Sequence, residues 1–369
     1  MRATAHGLVI GKFYPPHEGH HLLISTAAAC SERVTVLVLS HEVESIPHAD
    51  RLRWLREVHA GEAHVTFQGV IDDHPVDFAD PVVWDLHEAV FRAGLAAVTS
   101  DPVTAVFSSE DYGDELARRL GAVAVPVDLG RGLAPVSGTA VRADPVAHWE
   151  SLTPPVRAWF ARRVAVVGAE SSGTTTVSRA IADALRARGG AHGDTRWVPE
   201  RLRSFAISKL AADRAAAVVV GRRPPAMEEL QWSTDELAAV AGAQNDREDV
   251  AVRQGGPVLV CDTDAFAVGV WHERYLGAPA ASIDALARHH PLYLVTDHDG
   301  VPFEQDGYRD GEALRPWMTE RFEQLLDATG RRYVVLRGRL DERVAAGLTA
   351  IDALLADGWE LAPPRLPRA

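Results

Sequence analysis

The sequence predicts an α/β protein of two domains, each built on a parallel sheet. Three observations carry this. A chain of 369 residues is long enough for two separate cores. Short apolar runs ended by Gly or Pro alternate with amphipathic segments along its length. A buried strand feeding a glycine-bearing loop and then a helix occurs twice, at Leu8–Ile10 and again at Val164–Val167. Pro154-Pro155 marks the boundary, giving expected domains of 1–155 and 156–362.

In the first domain, Leu8–Ile10 delivers Gly11, Lys12, Phe13, a Pro-Pro turn and His17-Glu18-Gly19-His20, and a helix runs from His20 to Cys30. A loop opening into a helix start aims backbone N–H groups and a positive dipole end at an anion. Strands follow at Val34–Leu39, Val65–Val70, Ala105–Phe107 and Val123–Val127. The segment Asp50–Val58 reads as an amphipathic helix with Leu52, Leu55 and Val58 on one side and its arginines on a solvated or phosphate-facing side. Trp84 opens a helix through Phe91, and Leu116–Leu120 is another. Ser108, Ser109 and Glu110 follow a strand end, where doubly wound sheets meet their ligands. Ser137-Gly138-Thr139, with Arg142, reads as a capped helix start.

The second domain opens with a linker helix, Val156–Arg163, and the strand Val164–Val167. Gly168-Ala169-Glu170-Ser171-Ser172-Gly173-Thr174-Thr175-Thr176 has the length and context of a P-loop, with Thr174 where the lysine belongs. Gly168, Ser171, Ser172, Gly173, Thr174, Thr175 and Thr176 are therefore expected at a nucleotide, and Thr175 at a metal ion. Glu200 ends the strand from Arg196, and Asp262 and Asp264 end the strand Pro257–Cys261. An acid there would serve Mg²⁺ or the attacking hydroxyl. Helices are expected at Val177–Leu185, at Glu228–Gln244 with Trp232 and Asp235, and at Glu342–Leu355. Further strands are Pro291–Val295 and Tyr333–Leu336, and Asp306–Arg315 reads as a lid with arginines.

Composition narrows the field. The net charge is −13, which disfavours broad nucleic-acid binding. Cys30 and Cys261 sit in apolar runs as reduced residues, so a cytoplasmic setting is expected. No leader and no membrane span are expected. Lysine occurs only at Lys12 and Lys209.

Gly-Lys-Phe-x-Pro-x-His-x-Gly-His resembles the signature of the nucleotidyltransferase superfamily, and Val136–Arg142 resembles its second motif, Ile-Ser-Ser-Thr-x-x-Arg, with Gly138 for the middle serine. The resemblance implies a Rossmann-like nucleotidyltransferase domain. His17 and His20 would grip the triphosphate of ATP, Lys12 and Arg142 would hold its outer phosphates, and Gly11, Phe13, Ser137 and Thr139 would line the nucleotide site. Mg²⁺ would complete the clamp.

Taken with Arg-Leu-Arg-Trp-Leu-Arg-Glu from Arg51, Phe-Ser-Ser-Glu from Phe107, Gly-Ala-Glu-Ser-Ser-Gly, Val-Pro-Glu from Val198, Asp-Thr-Asp and Asp-Gly-Tyr-Arg, both halves look like the NadR family over residues 5–355. Members join a nicotinamide-mononucleotide adenylyltransferase to a P-loop ribosylnicotinamide kinase. The substrates implied are ATP, nicotinamide mononucleotide and nicotinamide riboside, with Glu200, Asp262 and Arg309 carrying the kinase chemistry. Trp84, Ser108, Ser109, Glu110, Trp232, Asp235 and Asp264 are the expected substrate contacts. The DNA-binding helix-turn-helix found at the front of some members has no counterpart, so no DNA-binding domain is expected. A homo-oligomer is left open. Two other readings stand beside this one: an adenylyltransferase whose second half is a regulatory nucleotide-binding module, and both activities on a different nucleotide.

Overall fold

The computed structural model describes residues 3–77 and 79–363. By compactness the chain divides into two units, one running to Val156 and taken up again from Trp359, the other spanning Arg157–Gly358. The return of the chain to the first unit is anchored where the Tyr14 hydroxyl donates to the Ala362 carbonyl and the Ala362 N–H donates to Ser45 Oγ.

The first unit runs β1 (Thr4–Gly11), α1 (Glu18–Cys30), β2 (Ser31–Ser40), α2 (His48–Val58), β3 (Val65–Ile71), α3 (Pro81–Ala96), β4 (Ala105–Ser108), α4 (Tyr112–Leu120), β5 (Val123–Pro126) and α5 (Gly138–Ala143). Its strands form one parallel sheet in the order β3-β2-β1-β4-β5. Strands buried on both faces need continuous apolar runs. Leu8, Val9 and Ile10 in β1 and Val36, Leu37 and Val38 in β2 supply them, all within 4 % of full burial. The order places β1 at the centre, so the chain leaves the sheet toward α1 beside the point where strand order reverses.

The division falls within α6 (Pro154–Phe160), a helix that stops three residues before its expected end at Arg163. Arg162 and Arg163 belong instead to β6 (Arg162–Gly168), where Arg163 reaches Asp249 at 2.7 Å. There follow α7 (Thr174–Arg186), β7 (Arg196–Val198), α8 (Arg201–Val219), α9 (Thr234–Arg253), β8 (Val258–Asp262), α10 (Ala265–Leu276), α11 (Ala281–Asp284), β9 (Leu292–Thr296), α12 (Arg315–Ala328), β10 (Tyr333–Leu336) and α13 (Leu340–Ala356). The sheet is again parallel, ordered β10-β9-β6-β8-β7, with β6 at its centre. The helix expected from Glu228 starts only at Thr234, because Ser233 caps it and Glu236 returns a bond to the Ser233 N–H. Among the described residues no helix is long and apolar enough to cross a membrane.

Helix α2 departs from its sequence reading. Val58 is exposed, whereas Arg51 is fully buried. Its guanidinium pairs with Glu44 at 2.8 Å and donates to the carbonyls of Lys12 and Leu39 and to Ser40 Oγ. It is therefore neither a solvated charge nor a phosphate contact but a clamp joining the ends of β1 and β2 to α2. Removing one partner of a fully buried pair leaves the other charge uncompensated. Glu44→Gln should therefore lower unfolding stability of the first unit by about 3 kcal/mol, read from urea denaturation; an unshifted transition would refute the clamp.

Candidate functional site

Each unit carries a site at the carboxyl end of its central strand. In the first, β1 ends at Gly11 and the chain turns through Phe13, whose φ is 49°. His17 is the N-cap of α1, and its carbonyl accepts from the N–H groups of His20 and His21. The His17 and His20 rings face each other with centroids 3.7 Å apart. The His17 N–H donates to His20 Nδ1, which leaves the His20 proton on Nε2. Burial, with the guanidiniums of Arg131 and Arg142 beside it, pushes His17 down to about 4. Burial, His17 and His21 hold His20 well below its ordinary range. Both rings are thus neutral at pH 7.

The rings open on a small cavity of about 70 Å³, lined also by Gly19, Ser109, Glu110, Arg131 and Ser137. Ser137 Oγ accepts from the Ala140 N–H and fixes the start of α5. Gly138 stands where the related motif has serine, and a Cβ there would come within 3.0 Å of the Tyr14 carbonyl. That carbonyl accepts from Arg142, whose guanidinium lies over the Tyr14 ring and also reaches Thr139 Oγ1 at 3.0 Å. Arg142 and Thr139 thus brace the turn before His17.

Several residues take other places than those expected. Phe13 is buried, with its ring edge-on to His20 and against Gly11, so it sets the His20 ring rather than facing a nucleotide. Lys12 lies 3.5 Å from Glu44, away from the histidine cavity. Ser108 is buried and exchanges hydrogen bonds with the backbone of Glu110, which shapes the loop and leaves Ser109 and Glu110 at the cavity. Trp84 lies in the core with Leu8, Ile10 and Phe91. Sequence reasoning missed Arg131, in a loop whose turn is held by Asp128 accepting from the N–H groups of Gly132, Leu133 and Ala134. The signal was a cation between Gly130 and Gly132, just past the last strand.

In the second unit, β6 ends at Gly168 and the loop to α7 wraps an anion-sized nest. Ser171 and Gly173 adopt φ of 56° and 90°. Gly168 is required, since a Cβ would lie 2.3 Å from Thr296 Oγ1. Ser172 is buried, and its hydroxyl donates to the Ala169 carbonyl and meets Thr296 Oγ1 at 2.6 Å, holding the loop from behind. Arg343, buried on α13, donates to the Ser172 carbonyl at 3.0 Å.

Thr175 donates to Asp262 Oδ2 at 2.7 Å, and the other carboxylate oxygen is buried without a hydrogen-bond partner. Burial pushes Asp262 up to about 6. Glu200 rises further, to about 8, through burial and then the Asp262 charge. A hydroxyl, a free buried carboxylate oxygen and a second acid suit a hard, oxygen-seeking divalent cation such as Mg²⁺. The cavity over this group measures about 230 Å³ and is lined also by Thr174, Thr176, Arg203, Trp271, Tyr275, Tyr308 and Arg309.

Arg309 pairs with Glu304 and lies 3.7 Å from Asp306, while Arg203 reaches Asp306 at 2.6 Å. Arg315 is not a mobile lid cation. It is buried and donates to the carbonyls of His298 and Val301. Lys209 pairs with Glu236. Glu170, unnoticed in the sequence, accepts from the Gly311 N–H and faces Arg274, which also holds Asp310. These bonds tie the 306–311 segment to the phosphate loop. Trp232 stacks behind Tyr275, with centroids 4.7 Å apart, and is absent from the cavity wall. Asp235 is exposed on the first turn of α9. Asp264 caps α10 through the Ala267 N–H and accepts from the Tyr293 hydroxyl, so it faces the interior rather than a substrate.

Comparison with known proteins follows this geometry. An AAA-domain family model matches residues 163–343, from β6 to the arginine behind the phosphate loop. The trifunctional NAD biosynthesis/regulator protein NadR of Salmonella typhimurium is 26% identical over 316 residues, covering 82% of this chain and 71% of that protein. Its Escherichia coli counterpart is 26% identical over 318 residues, with the same coverage. The chain is similar to NadR proteins over most of its length. A crystal structure of NadR with NAD and AMP-PNP shares the fold of this chain at a TM-score of 0.68, with 20% identity and 99% of each chain covered. A second, of NadR with NR, superposes at 0.66 over 98% of each chain.

The raised Glu200 carboxyl has a stability consequence. The folded state keeps the proton between the ordinary glutamate value of 4.5 and about 8, so it binds more protons than the unfolded chain there. Stability must then fall as pH rises through that window. Wild type should lose stability relative to Glu200→Gln across it, as read from denaturant midpoints; a pH-independent difference would contradict the assignment.

Proposed function

We propose that the chain makes NAD from nicotinamide riboside in two ATP-dependent steps, one per unit. The second unit phosphorylates the riboside, and the first joins the resulting mononucleotide to the adenylyl group of ATP, releasing pyrophosphate. The observation that carries the reading is the pair of neutral, stacked histidines at the α1 N-terminus with Arg131 and Ser137 around their cavity. The relatives' names, and the complexes of similar proteins with NAD, AMP-PNP and NR, support the substrate class.

In the first step proposed, the riboside hydroxyl attacks the γ-phosphorus of ATP, and the bond to the bridging oxygen breaks to release ADP. Glu200 would take its proton, and a pKa of about 8 suits a base working near neutrality. Trp271, Tyr275 and Tyr308 line the cavity and would flank the positively charged pyridinium ring. Thr175 and Asp262 would hold Mg²⁺, which when bound supplies charge neutralisation on the phosphates. The phosphate nest keeps its backbone donors although Thr174 brings no charge. Arg309 and Arg203, the arginines lining the cavity, would exchange their acidic partners for the γ-phosphate.

In the second step, a phosphate oxygen of the mononucleotide attacks the α-phosphorus of ATP in line. Nothing covalent forms with the protein. His20, with its proton on Nε2, and His17 would donate to the oxygens where charge builds, and Arg131 and Arg142 would supply field. Lys12 would need to leave Glu44 to reach the outer phosphates. Reduced Cys30 and Cys261 fit a cytosolic setting.

His20→Ala should lower kcat of adenylyl transfer to nicotinamide mononucleotide by about two orders of magnitude, with a smaller change in KM for ATP; an unchanged kcat would remove the mechanism. Arg309→Ala should depress riboside phosphorylation by about two orders of magnitude while leaving adenylyl transfer intact. The second reading, a nucleotide-binding regulatory module, draws on Thr174 and on the ion pairs that engage Arg309. Wild type that binds ATP in the second unit yet phosphorylates no riboside would establish it instead.

A further inference from the structure

Four side chains meet inside the second unit, on the far side of β8 from the phosphate loop. Neighbouring residues of a strand point to opposite faces. Asp262 faces Thr175, so Cys261 faces away, toward Glu248 of α9, Asp264 at the start of α10, and His290 two residues before β9. All four are buried, none more than 2 % exposed. His290 Nε2 lies 3.2 Å from Glu248 Oε2 and 3.6 Å from Asp264 Oδ2, yet makes a hydrogen bond to neither. Glu248 Oε1 is likewise buried with no partner. A potential sulfur, nitrogen and oxygen ligand, from Cys261, His290 and Glu248, all fall within 4.8 Å of one another.

Buried polar atoms without partners are rare and call for a reason. Tetrahedral zinc, with bonds of about 2.0–2.3 Å, sets its ligands roughly 3.3–3.8 Å apart. The 3.2 Å between His290 and Glu248 lies just under that range, close enough for a shared ion. The outer groups suit a cation as well. Asp264 is oriented by the Ala267 N–H and the Tyr293 hydroxyl, and Arg163 lies 3.4 Å from Glu248 Oε2, where it offsets the surplus negative charge of a thiolate and two carboxylates. A thiolate with imidazole selects zinc over the magnesium expected at the phosphate loop.

We propose that Cys261, His290 and Glu248 hold a structural zinc ion, with Asp264 beside it, that pins α9, β8 and the loop before β9 together. Binding releases the Cys261 thiol proton to solvent and changes no oxidation state. The full chain, purified without chelator, should carry about one zinc per molecule by elemental analysis. Stripping it should lower Tm, and zinc should restore it. Cobalt in its place should give a thiolate-to-cobalt charge-transfer absorption that survives in Cys30→Ala and is lost in Cys261→Ala. Should Cys261→Ala fail to fold, Cys30→Ala decides alone, because Cys261 is then the one thiol in the chain. Three results would overturn the proposal: a chain that takes up no zinc when supplied with it, a Tm indifferent to zinc and chelator, or bound cobalt without the thiolate band. Any of these would leave the cluster a hydrogen-bonded ionic network.

Discussion

A polyphosphate must be held by groups that the chain cannot let water reach freely, and the loop between β6 and α7 shows how backbone does it without a lysine. Its shape is fixed by neighbours rather than by its own charge. Ser172 is tied to Ala169 and Thr296, and Arg343 grips the Ser172 carbonyl from the far end of the unit. The left-handed turns at Ser171 and Gly173 then point N–H groups inward. Because the nest stands without a resident cation, positive charge has to come from the segment that closes over it. Glu170, Arg274 and Asp310 connect that segment to the loop, and Arg203 and Arg309 sit on the cavity wall.

On the proposed function, the first unit would meet the same demand by other means. Its histidines are neutral, so they would contribute N–H donors rather than charge, with the field from Arg131 and Arg142. Neutral donors cost less to bury than cations and need no counter-ion before a nucleotide arrives. The buried Arg51–Glu44 pair performs a separate task. It locks the end of β1 against α2, and with it the turn that leads to His17.

Much of this was legible in the sequence. Short apolar runs located most strands of both sheets, because a strand buried on both faces leaves a local signature. The phosphate loops were equally visible, since Gly168, Gly173 and the His-x-Gly-His spacing are demanded by local geometry. What was hidden depends on distant partners. Arg51 reads as a surface cation until Glu44 and three carbonyl or hydroxyl oxygens surround it. Arg315 reads as a lid cation, yet backbone carbonyls consume it. Trp84, Trp232 and Asp264 had the right composition for a ligand, but core packing, a stack on Tyr275 and a helix cap claimed them first. Arg131 was overlooked for the converse reason, as a loop cation whose neighbours His17 and His20 lie more than a hundred residues earlier.

The account turns on whether a phosphate loop lacking its lysine still moves a phosphoryl group. The most direct measurement incubates the intact chain with ATP, Mg²⁺ and nicotinamide riboside and follows the products by mass over time. The account predicts nicotinamide mononucleotide first and NAD with pyrophosphate after it. Riboside recovered unchanged, from a preparation that converts added mononucleotide to NAD, would contradict it.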